Sequence, residues 1–336
     1  MRYAVWNNKG GVGKTFLSFV LGSELANSSE KPVILVDMCP QANLSEIVLG
    51  GNEKGAERLA NLISKRKTVG GYFDARIESP HVTTGKESDF LLKADHYNHQ
   101  LPDNLYLLAG DSSLELQAQV INQIGGQSLP VDAWKNVHNW LKDLIEACCE
   151  KLEDEEAFVF IDCNPSFSAY TELAMLAADR LIAPCSSDGS SARAIDNLGS
   201  LVYGIHSSNY GSAIFPEKAR INKLALPKIH SILLNRSTLY SEEASEAFSA
   251  MYSEIKKRTK QIIKAKPDIE VDEGVDFGVI PDSHSVAIVC SHLGLPLHGI
   301  KPGKYKVHDV RPQVNSGPLE RYKEAIEGIV SKLEEY

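Results

Sequence analysis

Long apolar runs are missing from this chain of 336 residues: none reaches the roughly 18 residues that a membrane-spanning helix needs, so no membrane association of that kind is expected. Cysteine is scarce and dispersed. Of six residues only Cys148 and Cys149 adjoin, and there is no C-x-x-C pair. A disulfide framework is therefore not expected, and the thiols read as the reduced cysteines of a cytoplasmic protein. An excess of positive charge is also lacking: 35 Lys and Arg stand against 44 Asp and Glu, a net charge of −9. That balance argues against a protein that coats nucleic acid with its whole surface, and leaves room for a local basic face. Nor is a secretory leader expected, since the first residues read as strand and loop. What remains is an ordinary globular composition, 43% hydrophobic and 24% charged, long enough for one large α/β domain or two smaller ones.

The densest chemistry lies in Arg2 to Thr15, RYAVWNNKGGVGKT. Tyr3 to Trp6 form an apolar run suited to a buried parallel strand. Gly10, Gly11 and Gly13 follow, then Lys14 and Thr15, and from Phe16 onward Leu17, Val20, Leu21 and Leu25 recur at helical spacing. Glycines between a strand and a helix let backbone N–H groups converge on one centre, where the helix N-terminus adds positive potential. The segment from Asn8 and Lys9 through Gly10, Gly11, Val12, Gly13, Lys14 and Thr15 to Phe16 is thus the candidate phosphate-binding loop. In this motif the lysine neutralises the outer phosphates and the hydroxyl of Thr15 ligates Mg²⁺. The plainer alternative is a glycine-rich turn before a helix.

Asn8 stands where such a loop usually begins with Gly, and Lys9 adds a second lysine. KGGVGKT resembles the deviant Walker A motif of the ParA/MinD family of ATPases. The resemblance implies a homodimer formed on ATP binding, in which Lys9 reaches the nucleotide of the facing subunit. The second strand, Val33 to Val36, ends in Asp37-Met38-Cys39-Pro40-Gln41-Ala42-Asn43, similar to the family's Asp-x-Asp-Pro-Gln run. Asp37, Pro40, Gln41 and Asn43 match, but Cys39 replaces the second Asp, which the resemblance casts as the residue that orients or activates the attacking water. A neutral thiol accepts hydrogen bonds weakly. Either hydrolysis is slow and the protein is chiefly an ATP-gated dimer switch that docks an effector, or another group takes over.

Phe158 to Ile161 form a further buried strand that runs into Asp162-Cys163-Asn164-Pro165-Ser166, a Walker B arrangement in which the carboxylate holds Mg²⁺. A helix N-cap is the alternative for Asp162. By the resemblance, Asn235 after the strand Ile229 to Leu234 reads adenine, and Pro281 lies against it, with Asp282 where the family has Arg. Lys9, Lys14, Asp37, Cys39 and Asp162 are the candidate catalytic residues, Thr15 and Asp162 the metal ligands, ATP and Mg²⁺ the cofactors.

Alternating strands and helices imply a doubly wound, mostly parallel α/β sheet with helices on both faces, the P-loop NTPase fold. A single domain over 1–336 is expected. Residues 52–104 read as an irregular surface excursion beyond a helix at Glu57 to Lys67, the acidic run Glu153 to Glu156 as a solvated turn, and 318–336 as a packing helix. A helix capped by Ser241 carries Lys256, Lys257, Lys260 and Lys264 on one face, beside an apolar face expected to pack on the sheet. These cations either complement the helix dipole or, as the resemblance suggests, contact DNA phosphates without sequence preference once ATP has joined two copies. The resemblance also implies an activating partner protein, and a cytoplasmic location on the nucleoid. A MinD-like membrane helix fits poorly, because the last helix ends Glu334-Glu335-Tyr336 and anionic lipid repels it. An iron–sulfur relative such as the nitrogenase iron protein would need cysteines at positions that Cys39 and Cys163 do not match.

Overall fold

The computed structural model describes residues 1–152, 156–186, 189–205, 214–237 and 242–335. The acidic turn at Glu153 to Glu156 falls largely outside these residues, and the Ser241 cap wholly so. The chain opens with β1 (Arg2–Val5), α1 (Lys14–Ser28), β2 (Val33–Met38), α2 (Asn43–Val48), α3 (Asn52–Ser64) and α4 (Val69–Glu78). It continues through β3 (Leu92–Lys93), β4 (Leu105–Leu108), α5 (Ser113–Gly125), α6 (Ala133–His138), α7 (Trp140–Lys151), β5 (Phe158–Cys163) and α8 (Ala169–Ala177). Then come β6 (Arg180–Ser186), α9 (Ser191–Tyr203), α10 (Ile214–Ile221), β7 (Lys228–Ser237), α11 (Glu242–Ala265) and β8 (Asp276–Pro281). α12 (His284–Leu293), β9 (Gly303–Lys304), β10 (Gln313–Val314) and α13 (Ser316–Glu334) close it.

Eight strands make one sheet in the order β3-β4-β2-β5-β1-β6-β7-β8, parallel throughout except for the short edge strand β3. This is the doubly wound α/β architecture that the alternating pattern implies. Successive residues of β1 face opposite sides of the sheet: Ala4 and Trp6 join the core under α4 to α9, Tyr3 and Val5 the core under α1, α2, α12 and α13. Burying a side chain such as Val5 stabilises the fold by roughly 1.5–3 kcal/mol. Gly22 lets α1 lie close on the sheet, since a Cβ there would sit 2.4 Å from Leu35 Cδ2. Leu319, Tyr322, Ile326, Ile329 and Leu333 of α13 are buried against α1 and β8.

Two stretches differ from expectation. Residues read as irregular include α4, whose Tyr72, Phe73 and Arg76 are buried. Arg76 hides the helical pattern because it is polar yet sits in the core, donating to Tyr72 Oη at 2.9 Å and to Asp143 Oδ2 at 2.8 Å. Nor does α11 lay its apolar face directly on the sheet. Ile255 and Ile262 are buried, and Ile262 packs on α9 at Gly199, where a Cβ would meet it at 2.9 Å. Tyr252 reaches the edge strand, donating to Phe277 O at 2.7 Å, and Lys256 lies over the Phe277 ring. Among the described residues no helix is long and apolar enough to cross a membrane.

Candidate functional site

Register brings the chemistry together. Asp162 is level with Val5 on one side and with Asp37 on the other, so the carboxyl ends of β1, β2 and β5 open onto one crevice. From β1 the chain turns through Gly11 and Gly13, whose φ values of +75° and +89° favour glycine. Positions for a Cβ on Gly10 and Gly11 have nothing within 4 Å, whereas one on Gly13 would lie 2.3 Å from Asn235 Nδ2. That contact exists because Asn235, buried at the end of β7, donates to Val12 O at 2.9 Å. Its side-chain amide here fastens the loop to the sheet.

Lys14 is only 6% exposed, and its Nζ donates to the carbonyls of Asn7 at 2.9 Å and Lys9 at 2.8 Å. Burial pulls its pKa down, and the negative charge of Asp162 pulls the other way. The ammonium of Lys9 donates to Ser186 Oγ at 2.7 Å, at the end of β6. Asn7 underpins the turn, accepting from Lys9 N at 2.9 Å and donating to Pro184 O at 2.7 Å.

The two acids differ sharply. Asp37 is fully buried and committed: Oδ1 accepts from Cys39 N at 3.1 Å, and Oδ2 accepts from Ser45 N at 2.8 Å and Ser45 Oγ at 2.7 Å. It fixes the β2–α2 turn and does not line the cavity beside the loop. Asp162 is equally buried, and among the described residues neither oxygen makes a well-formed hydrogen bond, although the Thr15 and Ser18 hydroxyls lie close enough to act on it. Burial drives its pKa well above the ordinary carboxylate range and the Asp37 charge adds to this, while the nearby Thr15 hydroxyl and Lys14 ammonium pull it back. Cys39 is buried too, and desolvation followed by Asp37 pushes its thiol up to about 11. Asn164 bridges the two signature turns, donating to Cys39 Sγ at 3.5 Å, while its carbonyl accepts from Trp6 Nε1 at 3.0 Å.

A cavity of about 490 Å³ lies against the loop. Gly11, Gly13, Lys14, Thr15, Phe16 and Cys39 line its inner side, with Cys163 and Pro165 beside them. Glu46, Asn52, Ser291 and His292 also line it, none of them legible as site residues: Glu46 lies three residues beyond the end of the second signature, and the other three lie in helices that carry no motif. Phe16 also stacks on Tyr322 of α13 at 6.3 Å between ring centroids. Asn8 is half-buried in the loop, and Pro281 pairs with Ser237 at the end of β8, away from the cavity lining.

The four α11 lysines do not share one environment. Lys256 lays its ammonium 4.1 Å over the Tyr252 ring and 5.4 Å over Phe277, and Lys257 approaches Glu254 at 3.9 Å. Lys260 and Lys264 are exposed. The expected face of four projecting cations is therefore split, because the aromatic rings that anchor α11 to β8 also attract Lys256.

Comparison with known proteins shows the family and the fold. A family model described as AAA domain matches residues 2–211. The chain is 28% identical over 181 residues to the chromosome partitioning protein ParA of Caulobacter vibrioides, a stretch covering 54% of each chain. A stretch of 37 residues is 62% identical to a virulence plasmid ParA family protein of Chlamydia psittaci, 11% of this chain and 14% of that one. The chain thus spans about half, or less, of the length of the curated relatives it matches. Among solved structures, apo McdA from Cyanothece superposes with a TM-score of 0.58 at 17% identity, covering 97% of this chain and 98% of that one. Cobyrinic acid a,c-diamide synthase from Mycobacterium smegmatis, with a bound ATP analogue and magnesium, gives 0.54 at 16%, covering 99% and 95%. These structural likenesses show the fold.

Proposed function

Because the chain belongs to the AAA-domain family, we propose that it is a ParA-like P-loop ATPase that binds ATP and Mg²⁺, pairs with a second copy around the nucleotide, and acts in DNA partition or cargo positioning. The observation that carries this reading is a glycine loop, open at Gly10 and Gly11, followed by Lys14 and Thr15, whose ammonium and hydroxyl both act on the buried carboxylate of Asp162. A buried carboxylate without a well-formed hydrogen bond, beside a hydroxyl, suits a hard cation that keeps several of its waters. Thr15 and Asp162 would hold Mg²⁺, which when bound supplies positive charge to the phosphates. The amides of Gly10, Gly11 and Gly13 and the ammonium of Lys14 would bind and orient the triphosphate. Asn235 serves by holding the loop at Val12, and adenine contact by Asn235 or Pro281 is left to the bound state.

Lys9 is the proposed link between subunits. Reaching a partner's nucleotide requires it to leave Ser186, so dimerisation exchanges one charge-assisted hydrogen bond for another. Wild-type protein should then elute as a dimer with ATP–Mg²⁺ and as a monomer without it, and Lys9→Ala should stay monomeric in both while still binding nucleotide. A Lys9→Ala variant that dimerises like wild type removes the role.

A second reading, the slowly hydrolysing switch that docks an effector protein, is favoured by Cys39. A thiol held near 11 cannot take a proton at neutral pH, and Asp37 is fully occupied. Turnover is accordingly expected to be weak, and Cys39→Asp should raise phosphate release roughly 10-fold or more. Unchanged turnover in that variant would mean that position 39 does not limit hydrolysis. Non-specific DNA binding, an activating partner and a place on the nucleoid complete the proposal. Of the α11 lysines, Lys257, Lys260 and Lys264 are exposed, and Lys257 approaches Glu254.

A further inference from the structure

A charge pattern in the segment after α12 is used by none of these roles. β9 and β10 form a two-stranded antiparallel ribbon, with Lys304 opposite Gln313 and Gly303 opposite Val314. It is closed by a turn in which Val307 and Val310 exchange both main-chain hydrogen bonds at 3.0 Å. Alternation sorts the side chains onto two faces. Val307 and Val314 are buried and Tyr305 is half-buried, whereas Lys304, Lys306, Arg311 and Gln313 are exposed on the opposite face. Lys301 extends the same basic run at the start of the ribbon. From residue 301 to 315 there are four cations, Lys301, Lys304, Lys306 and Arg311, against one acid, Asp309, in a chain whose net charge is −9. Among the described residues none of these four enters an ion pair.

We infer that the outward face of this ribbon is a contact for the phosphates of duplex nucleic acid. The inference rests on the proposed DNA-linked function and moves its main contact from α11 to the ribbon. Protein partners require apolar or aromatic anchors, and the outward face offers none. Val310, 62% exposed, is the ribbon's one exposed large apolar side chain, and it sits at the turn. A lipid surface is held by apolar insertion together with charge, and the outward face supplies only the charge. A face of cations and one amide meets the electrostatic requirement of a phosphate backbone, and a two-stranded ribbon is narrow enough for the major groove. Its turn also touches the nucleotide cavity: His308 Nδ1 lies 3.3 Å from Asn52 Nδ2, and Asn52 lines that cavity. The acids near the ribbon, Asp309 and Glu53, line a groove with Lys54 and with Lys306, so Lys306 is shared between that groove and the outward face, while Lys304 and Arg311 belong to the outward face alone.

The test compares ATP–Mg²⁺-loaded full-length protein with two triple variants, measuring affinity for a random-sequence duplex across a salt series. Lys304→Ala/Lys306→Ala/Arg311→Ala should lose affinity on the order of 10-fold or more at about 0.1 M salt, and its log–log salt slope should shrink by about 3. ATP-dependent dimerisation, followed by sizing, should be unchanged because these side chains are on the surface. Lys256→Glu/Lys257→Glu/Lys260→Glu should have the smaller effect. If the ribbon variant binds like wild type while the α11 variant does not, the ribbon inference is overturned and the DNA-linked function stands. Binding of wild type to poly-glutamate as tightly as to the duplex overturns the assignment to nucleic acid. A wild-type ATP dimer with no affinity for any duplex overturns the DNA-linked function and the inference together.

Discussion

Lys14→Ala is expected to weaken ATP binding by on the order of 10² to 10³-fold while the protein stays folded. The ammonium is buried and sits between two main-chain carbonyls and the Asp162 carboxylate, in a cavity where a triphosphate would share it. Removing one partner of a buried charge pair costs about 3–5 kcal/mol, because the other partner is left uncompensated, and each 1.4 kcal/mol is about tenfold in Kd. The nucleotide-free protein should change much less. Burial already disfavours the charged lysine, which opposes the loss of its two hydrogen bonds to the carbonyls of Asn7 and Lys9. Arginine should not rescue binding, since a planar guanidinium does not fit a space shaped for three tetrahedral donors. Titration calorimetry with ATP, alongside thermal unfolding without nucleotide, separates the two effects. Wild-type affinity in Lys14→Ala would place the phosphates elsewhere.

What the sequence made legible is what local order encodes. A strand, three glycines, Lys14-Thr15 and a helical repeat are contiguous, so the loop can be read without knowing the fold. Asp162 is readable because an apolar run ends on it, and the parallel register then sets it level with Asp37. Other features depend on contacts distant in sequence. Asn235 donates to Val12, 223 residues away, which no spacing rule foretells. Arg76 and Asp143 pair across the core and make a buried helix look like surface. Lys256 looks like its neighbours on a helical wheel, but its ammonium rests over Tyr252, four residues earlier, and near Phe277 of β8, a strand that the wheel does not show. The β9–β10 ribbon has two residues in each strand, too short for an apolar run, so its two-faced character appears only once burial is known. The same holds for Asp37 and Cys39. The sequence places them two residues apart, but only the hydrogen bonds to Ser45 and the position of the thiol beside the cavity distinguish a turn-fixing acid from a residue that lines the site.

Asp162→Asn should separate stability from metal binding. In the nucleotide-free protein the carboxylate is buried without a well-formed hydrogen bond and lies beside a second buried acid, Asp37. Such a group costs stability, so a neutral isostere should raise the free energy of unfolding by about 1–3 kcal/mol. The cost persists in the wild type because this strained position is where a cation would be bound. A ligand that binds only the folded state adds about 2.7 kcal/mol at a concentration 100 times its Kd. In wild type, part of that increment should depend on Mg²⁺, and in Asp162→Asn the Mg²⁺-dependent part should vanish while a weaker, metal-independent ATP increment remains. The expected pattern in denaturant unfolding is therefore a crossing: the variant more stable than wild type without ligand, and less stable than wild type with ATP and Mg²⁺. A variant destabilised without ligand and still responsive to Mg²⁺ would make Asp162 a structural acid and move the cation to other oxygens. Because the two arms change in opposite directions, general damage to the fold cannot imitate the expected result.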